Sequence, residues 1–189
     1  MAKILFFAGS AREQSFSKRL AKTAHAMAVD KGIDATFIDL KDYPMPLYDG
    51  DFEDAQGMPE NAKKLKSLFV EHDGLFISTP EYNSAYPALL KNVIDWISRP
   101  DGEDIGEPYK GKTAALAASS PGGLGGMRAL VPLRMLMGNI GVHVVPTQTS
   151  VNFVSKAFND DGTLANEQQR GILSATLDEL KSTTDALKN

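Results

Sequence analysis

The chain has 189 residues, a formal net charge of −4, 42% hydrophobic and 23% charged residues, ordinary values that suit one domain, residues 1–189, with a self-sufficient core. With no cysteine there is no disulfide, thiolate nucleophile or zinc-thiolate site, and His25, His72 and His143 fall in no metal-ligand spacing. The acidic balance sets nucleic acid aside, and no run approaches the ~18 apolar residues of a membrane span.

In chain order, Lys3-Ile4-Leu5-Phe6-Phe7-Ala8 has the continuous apolar character of a strand buried on both faces. Its apolar run is shorter than the ~7-residue minimum of a signal peptide, so it reads as a strand and not an address. Leu20, Ala24, Met27 and Ala28 recur at helical spacing after it. The loop between, Gly9-Ser10-Ala11-Arg12-Glu13-Gln14-Ser15-Phe16-Ser17, therefore joins a strand to a helix. Helix-opening N–H groups lack partners, and an anion there gains about 0.3–1 kcal/mol from the dipole. Ser10, Ser15 and Ser17 add neutral donors, and Arg12 a charge-assisted bond of about 1.5–3 kcal/mol, so the loop reads as a phosphate cradle. Taken alone it reads equally as a plain turn, with Ser15 or Ser17 capping the helix and Arg12 solvated. Neither nucleotide fingerprint applies: there is no G-x-G-x-x-G, and no lysine follows a glycine in this loop.

Ile33 to Leu40 reads as the second strand, and Asp42 to Asp51 as a long surface loop rich in breakers. Pro59-Glu60 opens a helix with Ala62, Leu65 and Phe69 on one face. Gly74 to Thr79 is the third strand; it empties into a second loop, Pro80 to Pro87, before a helix built on Leu89, Leu90, Val93, Ile94 and Ile97. Thr113 to Ala118 is the fourth strand despite alanine's preference for helices. A third loop, Ser119 to Gly126, leads to a helix over Arg128 to Asn139, interrupted or restarted at Pro132; Val142 to Val145 is the fifth strand, and a helix over Asn166 to Leu187 ends the chain. Alternating strands and helices predict a parallel sheet covered on both faces, with ligands at the strands' carboxyl ends, where all three loops fall. Gly106 to Thr113 matches the G-x-x-x-x-G-K-[ST] phosphate loop letter for letter, but it follows the acidic loop Asp101 to Asp104 and precedes a strand, so the match is taken as accidental.

The first loop G-S-A-R-E-Q-S-F-S, the second P-E-Y-N at Pro80 to Asn83 with P-A-L-L-K-N-V-I-D-W after it, and the third S-S-P-G-G-L-G-G together resemble the NAD(P)H-dependent FMN reductases of the flavodoxin-like superfamily, across nearly the whole chain. That family includes quinone, azo-dye and chromate reductases. The resemblance implies an α/β flavodoxin-like three-layer sandwich with a five-stranded parallel sheet in the order 2-1-3-4-5. It places Ser10, Arg12, Ser15, Phe16 and Ser17 around the FMN phosphate, with serine at position 17 where asparagine is commoner. Pro80, Glu81, Tyr82, Asn83 and Ser84 would meet the flavin ring and ribityl chain, and Ser119, Ser120, Gly122 and Gly123 would border the pyrimidine side. NADPH or NADH is the implied co-substrate, and the acceptor a small molecule such as a quinone, free flavin or azo compound. No catalytic side chain and no metal is expected, because the flavin carries the chemistry.

The physical reading agrees: a flat isoalloxazine needs an apolar or aromatic wall, close backbone approach and a few N–H donors, which Tyr82 and the glycines can supply. The resemblance also implies a homodimer or homotetramer, built from the helix over Ala88 to Arg99 and from Met127 to Met137. Leu130, Leu133, Met135, Leu136 and Met137 surround too much of a helix for one core-facing stripe, while Trp96 reads as core or interface. The absence of cysteine agrees with a cytoplasmic protein. The main rival is a nonenzymatic flavodoxin-type electron carrier, a class usually more acidic than −4 whose first loop lacks the arginine. A second rival is a flavin-bound regulatory or scaffold protein without turnover.

Overall fold

The computed structural model describes residues 2–100 and 106–188, so the predicted acidic loop Asp101 to Asp104 lies outside the described residues. The strands are β1 (Lys3–Ala8), β2 (Asp34–Phe37), β3 (Gly74–Pro80), β4 (Thr113–Ser119), β5 (His143–Val144) and β6 (Thr149–Val151). The helices are α1 (Phe16–Asp30), α2 (Gly50–Gln56), α3 (Glu60–Glu71), α4 (Ala88–Ile97), α5 (Met127–Asn139) and α6 (Glu167–Leu187). The sheet is parallel in the order β2-β1-β3-β4-β5, with β6 also paired to β4. The expected order 2-1-3-4-5 is therefore present, with one extra strand.

Strand alternation sorts the core onto two faces. Leu5, Phe7, Leu75 and Ile77 pack with Leu65 and Phe69 of α3, Val93 and Ile94 of α4, and Leu130 and Leu133 of α5. Ile4, Phe6 and Phe76 point the other way, against Leu20, Ala24 and Ala28 of α1 and Leu173, Leu177 and Leu180 of α6. Each large side chain removed from water this way contributes about 1.5–3 kcal/mol. Every residue of β4 is buried, and space explains its alanines: a Cβ on Gly126, where α5 begins, would sit 2.9 Å from the Ala118 Cβ. Larger side chains would push α5 off the strand, so burial overrides helix propensity.

Four elements depart from expectation. The second strand is shorter, Asp34–Phe37. The Asp42 to Asp51 segment is an ordered strap, with buried Asn92 accepting from Tyr48 N at 2.7 Å and donating to Pro46 O at 2.8 Å, which also accepts from Trp96 Nε1 at 2.9 Å. The strap ends in α2, whose cap Asp49 accepts from the N–H groups of Asp51 and Phe52. The fifth strand position is split between β5 and β6 at Pro146, which has no N–H for the ladder; Arg134 satisfies the carbonyls of Val144 and Val145 around the break at 3.2 and 2.9 Å. Finally, α5 runs unbroken through Pro132.

Candidate functional site

The carboxyl ends of β1, β3 and β4 open on one cavity of about 120 Å³, lined by Ser10, Arg12, Ser15, Phe16, Ser17, Pro80, Glu81, Tyr82, Ser119, Ser120 and Pro121. Ten of the fourteen residues predicted for the site are in that lining; Pro121 joins them unpredicted. Asn83, Ser84, Gly122 and Gly123 are outside it, exposed at the tips of the second and third loops. Ligand sites for drug-sized molecules enclose roughly 300–1,000 Å³, so a ligand that large would be held here only in part, with the rest across the open sheet edge.

The first loop is built to donate. Ser15 caps α1, its Oγ accepting from Lys18 N at 3.2 Å, and Ser10 Oγ accepts from Arg12 N at 3.3 Å. Each hydroxyl has thus used a lone pair and keeps its hydrogen for something else. The N–H groups of Phe16 and Ser17, first in α1, have no intrahelical acceptor. Ser17 Oγ lies 3.3 Å from Ser119 Oγ, which ties the first loop to the third. An ion pair of buried Lys18 with half-buried Asp39, Nζ to carboxylate 2.6 Å, anchors the first turn of α1 to the segment after β2. Arg12 is exposed, has no ion pair among the described residues and lines the cavity.

On β3, Ser78 is fully buried, and its Oγ has no hydrogen-bond partner among the described residues. Two residues past Phe76 on β3, it shares the sheet face under α1. An unmet buried hydroxyl costs about 1–3 kcal/mol. An arginine, hydroxyls and free N–H groups with no carboxylate among the first-loop lining residues form the donor set of a phosphate monoester site, so the residues fit an FMN phosphate.

The second loop turns through a two-residue hairpin in which Tyr82 and Ala85 exchange backbone bonds at 2.9 and 3.1 Å. Asn83 and Ser84, with φ of 51° and 67°, occupy its left-handed positions, so the turn holds Tyr82 outward, half exposed. Glu81 takes a different role from its neighbours: its carboxylate accepts from Arg128 Nε at 2.7 Å and Arg128 N at 3.2 Å, at the start of α5. The third loop needs two glycines, because a Cβ on Gly125 would lie 2.4 Å from Ser150 Oγ and one on Gly126 2.9 Å from Ala118 Cβ, both at positive φ. Asn152 Nδ2 and Ser150 Oγ donate to the Gly123 and Leu124 carbonyls, fixing that loop to β6 and the chain after it.

Three residues outside the predicted set thus bear on the site: Pro121, Arg128 and Phe153. Phe153 is an exposed aromatic held at φ 46° beside Gly123. The apparent phosphate loop behaves as expected of an accidental match. Its Lys112 leads into β4 and donates to the Val70 and His72 carbonyls at 3.3 and 2.5 Å, at the opposite end of the sheet. Among the described residues no group of three acidic, histidine or cysteine side chains could hold a metal, and no helix is long and apolar enough to cross a membrane.

A sequence profile of the NADPH-dependent FMN reductases matches residues 2–156. The chain is 32% identical over 177 residues to a 2-hydroxy-1,4-benzoquinone reductase of Burkholderia sp., covering 93% of this chain and 92% of that protein. It is 35% identical over 136 residues to a quinone reductase of Escherichia coli K12, covering 71% and 69%. Among solved structures, FerB, a flavoenzyme NAD(P)H:(acceptor) oxidoreductase of Paracoccus denitrificans, superposes with a TM-score of 0.78 at 27% identity, covering 96% of this chain and 98% of that one. With the parallel sheet and its serine-arginine cradle, these likenesses establish that the chain belongs to the NADPH-dependent FMN reductase family.

Proposed function

We propose that this chain, as a single domain, holds FMN noncovalently and carries reducing equivalents from NADPH or NADH to a small acceptor of the quinone class. The observation that carries the reading is the convergence of the first, second and third loops on one cavity whose α1 end is a set of phosphate donors. Bound FMN supplies the hydride chemistry, which no side chain of the protein can. Arg12, the Ser10 and Ser15 hydroxyls and the Phe16 and Ser17 N–H groups bind the phosphate. Tyr82 lies against the ring, Pro80 and Ser119 to Pro121 bound the slot, and the exposed tips at Asn83, Ser84, Gly122 and Gly123 approach with backbone groups. No side-chain acid or base is assigned, since the polar groups in the cavity are donors or are already paired. The visible spectrum of the purified protein, its bleaching by NADPH or NADH without air, and its recovery on adding a quinone test the reading. A protein that stays colourless after mixing with FMN overturns it.

The protein is further proposed to be a cytoplasmic homodimer or homotetramer. Met127, Val131 and Met135 follow one another at helical spacing along α5, Leu124 of the third loop precedes them, each of the four is 49–68% exposed, and Phe153 is a further exposed apolar side chain beside that loop. Leu130, Leu133 and Met137 serve the core of the same subunit, so α5 has two apolar faces. By contrast, α4 spends Leu90, Val93, Ile94, Trp96 and Ile97 within its own subunit, which assigns the main contact to α5. A stable, fully flavin-loaded monomer in sedimentation at submicromolar concentration would refute the assembly.

A further inference from the structure

We propose that Glu81 and Arg128 form a clamp that fixes the gap between the second and third loops, making them positioning residues for the flavin ring; this rests on the site reading above. The ladder between β3 and β4 ends at the pair Pro80 and Ser119, beyond which the two loops diverge around the cavity. Glu81 is the next residue, and its carboxylate reaches across to α5. It accepts from Arg128 Nε at 2.7 Å, from a second guanidinium nitrogen and from the Arg128 backbone N–H at 3.2 Å. The side chain is only 7% exposed, although Tyr82, Asn83 and Ser84 beside it are open to solvent.

The start of α5 explains why the carboxylate is needed. Its N-cap is Gly126, at φ 84°, forced there by the contact with Ala118 and offering no side chain to the first-turn N–H groups. The Met127 and Ala129 N–H groups are taken by the Leu124 and Gly126 carbonyls, and the glycine leaves the Arg128 N–H between them without a cap side chain. Glu81 supplies the missing acceptor and a negative charge at the positive end of the helix. The guanidinium adds a two-nitrogen grip, which fixes direction as well as distance. Pro80 to Tyr82 and Ser119 to Pro121 both line the cavity, and Arg128 opens the helix into which the third loop runs, so the contact from Glu81 to Arg128 sets how far the two loops stand apart. The phosphate cradle at α1 takes no part in it.

This separates the clamp from the cradle in one experiment. FMN and riboflavin are titrated into apo parent, Glu81→Ala, Arg128→Ala, the double variant, Arg128→Lys and Arg12→Ala, and the melting temperature of each apo protein is recorded. Both single clamp variants should lose affinity for FMN and riboflavin by the same factor, about tenfold, and the double variant should lose no more than the worse single one. Arg128→Lys, which keeps the charge without the fork, should recover only part of the loss. Losing the acceptor at the start of α5 should lower apo melting temperatures by about 2–8 °C, and the order of melting temperatures among the variants should not follow the order of their affinities. Additive losses, a loss confined to FMN, unchanged affinities, or melting temperatures that fall in step with affinity would each overturn the clamp. A parent that binds neither flavin sinks the site reading itself, whereas a parent that binds both with its clamp variants unchanged sinks the clamp alone.

Discussion

Replacing Arg12 with alanine should weaken FMN binding while sparing riboflavin, which differs only in lacking the phosphate. A hydrogen bond to a charged group contributes about 1.5–3 kcal/mol, or roughly 12- to 160-fold in affinity. Arg12 is exposed and has no other ion pair among the described residues, so water and salt screen it; this favours the lower half of that range, about 12- to 45-fold. Removing the guanidinium disturbs little else, because the loop's own bond is made by the Arg12 N–H to Ser10 Oγ, which alanine keeps. Calorimetric titration of both flavins at low and at moderate salt reads the effect. The gap between parent and variant should narrow with salt for FMN and be absent for riboflavin. Equal losses for the two ligands would show that Arg12 does not meet the phosphate, and the cradle would have to be built from the neutral donors alone.

Ser84→Gly should stabilise the protein by about 0.5–1 kcal/mol: it releases an L-residue from φ 67°, partly offset by glycine's freedom when unfolded, and a lowered melting temperature would refute the turn assignment. Lys112→Ala should cost about 1–2 kcal/mol in urea unfolding by leaving the Val70 and His72 carbonyls short of a donor, yet keep reductase activity within a few-fold and show no linked ATPase; ATP hydrolysis abolished by the change would reinstate the phosphate-loop reading. Burial pushes the Asp73 carboxyl up, but the Lys188 ammonium and the Lys3 N–H outweigh it and hold its pKa below the usual value. Its contribution is therefore full above the unfolded pKa of about 3.9 and lost as pH falls through the folded pKa. Asp73→Asn should accordingly lose less stability than the parent between roughly pH 5 and pH 2; parallel acid limbs for the two proteins would contradict the pairing.

The parts of the fold that could be read from the chain are those where burial and residue type agree. β1 and β3 are apolar without interruption because both faces are covered, and α1, α3 and α4 carry their core residues at helical spacing. β6 is hard to read because it is three residues long and only Val151 of its two buried residues is apolar: Thr149 faces the core too, and its hydroxyl is matched by Thr176 of α6 at 3.0 Å. A threonine satisfied by a distant threonine is indistinguishable in the sequence from one that faces water. α2 was hidden for a related reason, since Asp49-Gly50-Asp51 reads as a breaker cluster, whereas Asp49 is the helix cap and Tyr48 and Phe52 lean edge-on against Trp96 more than forty residues away. In both cases local letters pointed one way and a tertiary partner decided the other.

The site divides along the same line. Ser10, Arg12, Ser15 and Ser17 fall within one loop and one helix turn, so they could be picked out together as a candidate phosphate cradle, although the same letters also suit a plain turn with a serine cap. Glu81 could be assigned to the site by position but not given its partner, because the carboxylate acts 47 residues downstream on a helix whose cap is missing. That need follows from a sequence of steric demands: buried β4 demands alanine at 118, the close approach of α5 to it demands glycine at 126, and the glycine offers the Arg128 N–H no cap side chain. A carboxylate supplied from the neighbouring loop completes that chain of causes, and in doing so joins the two loops between which the ring of the flavin would lie.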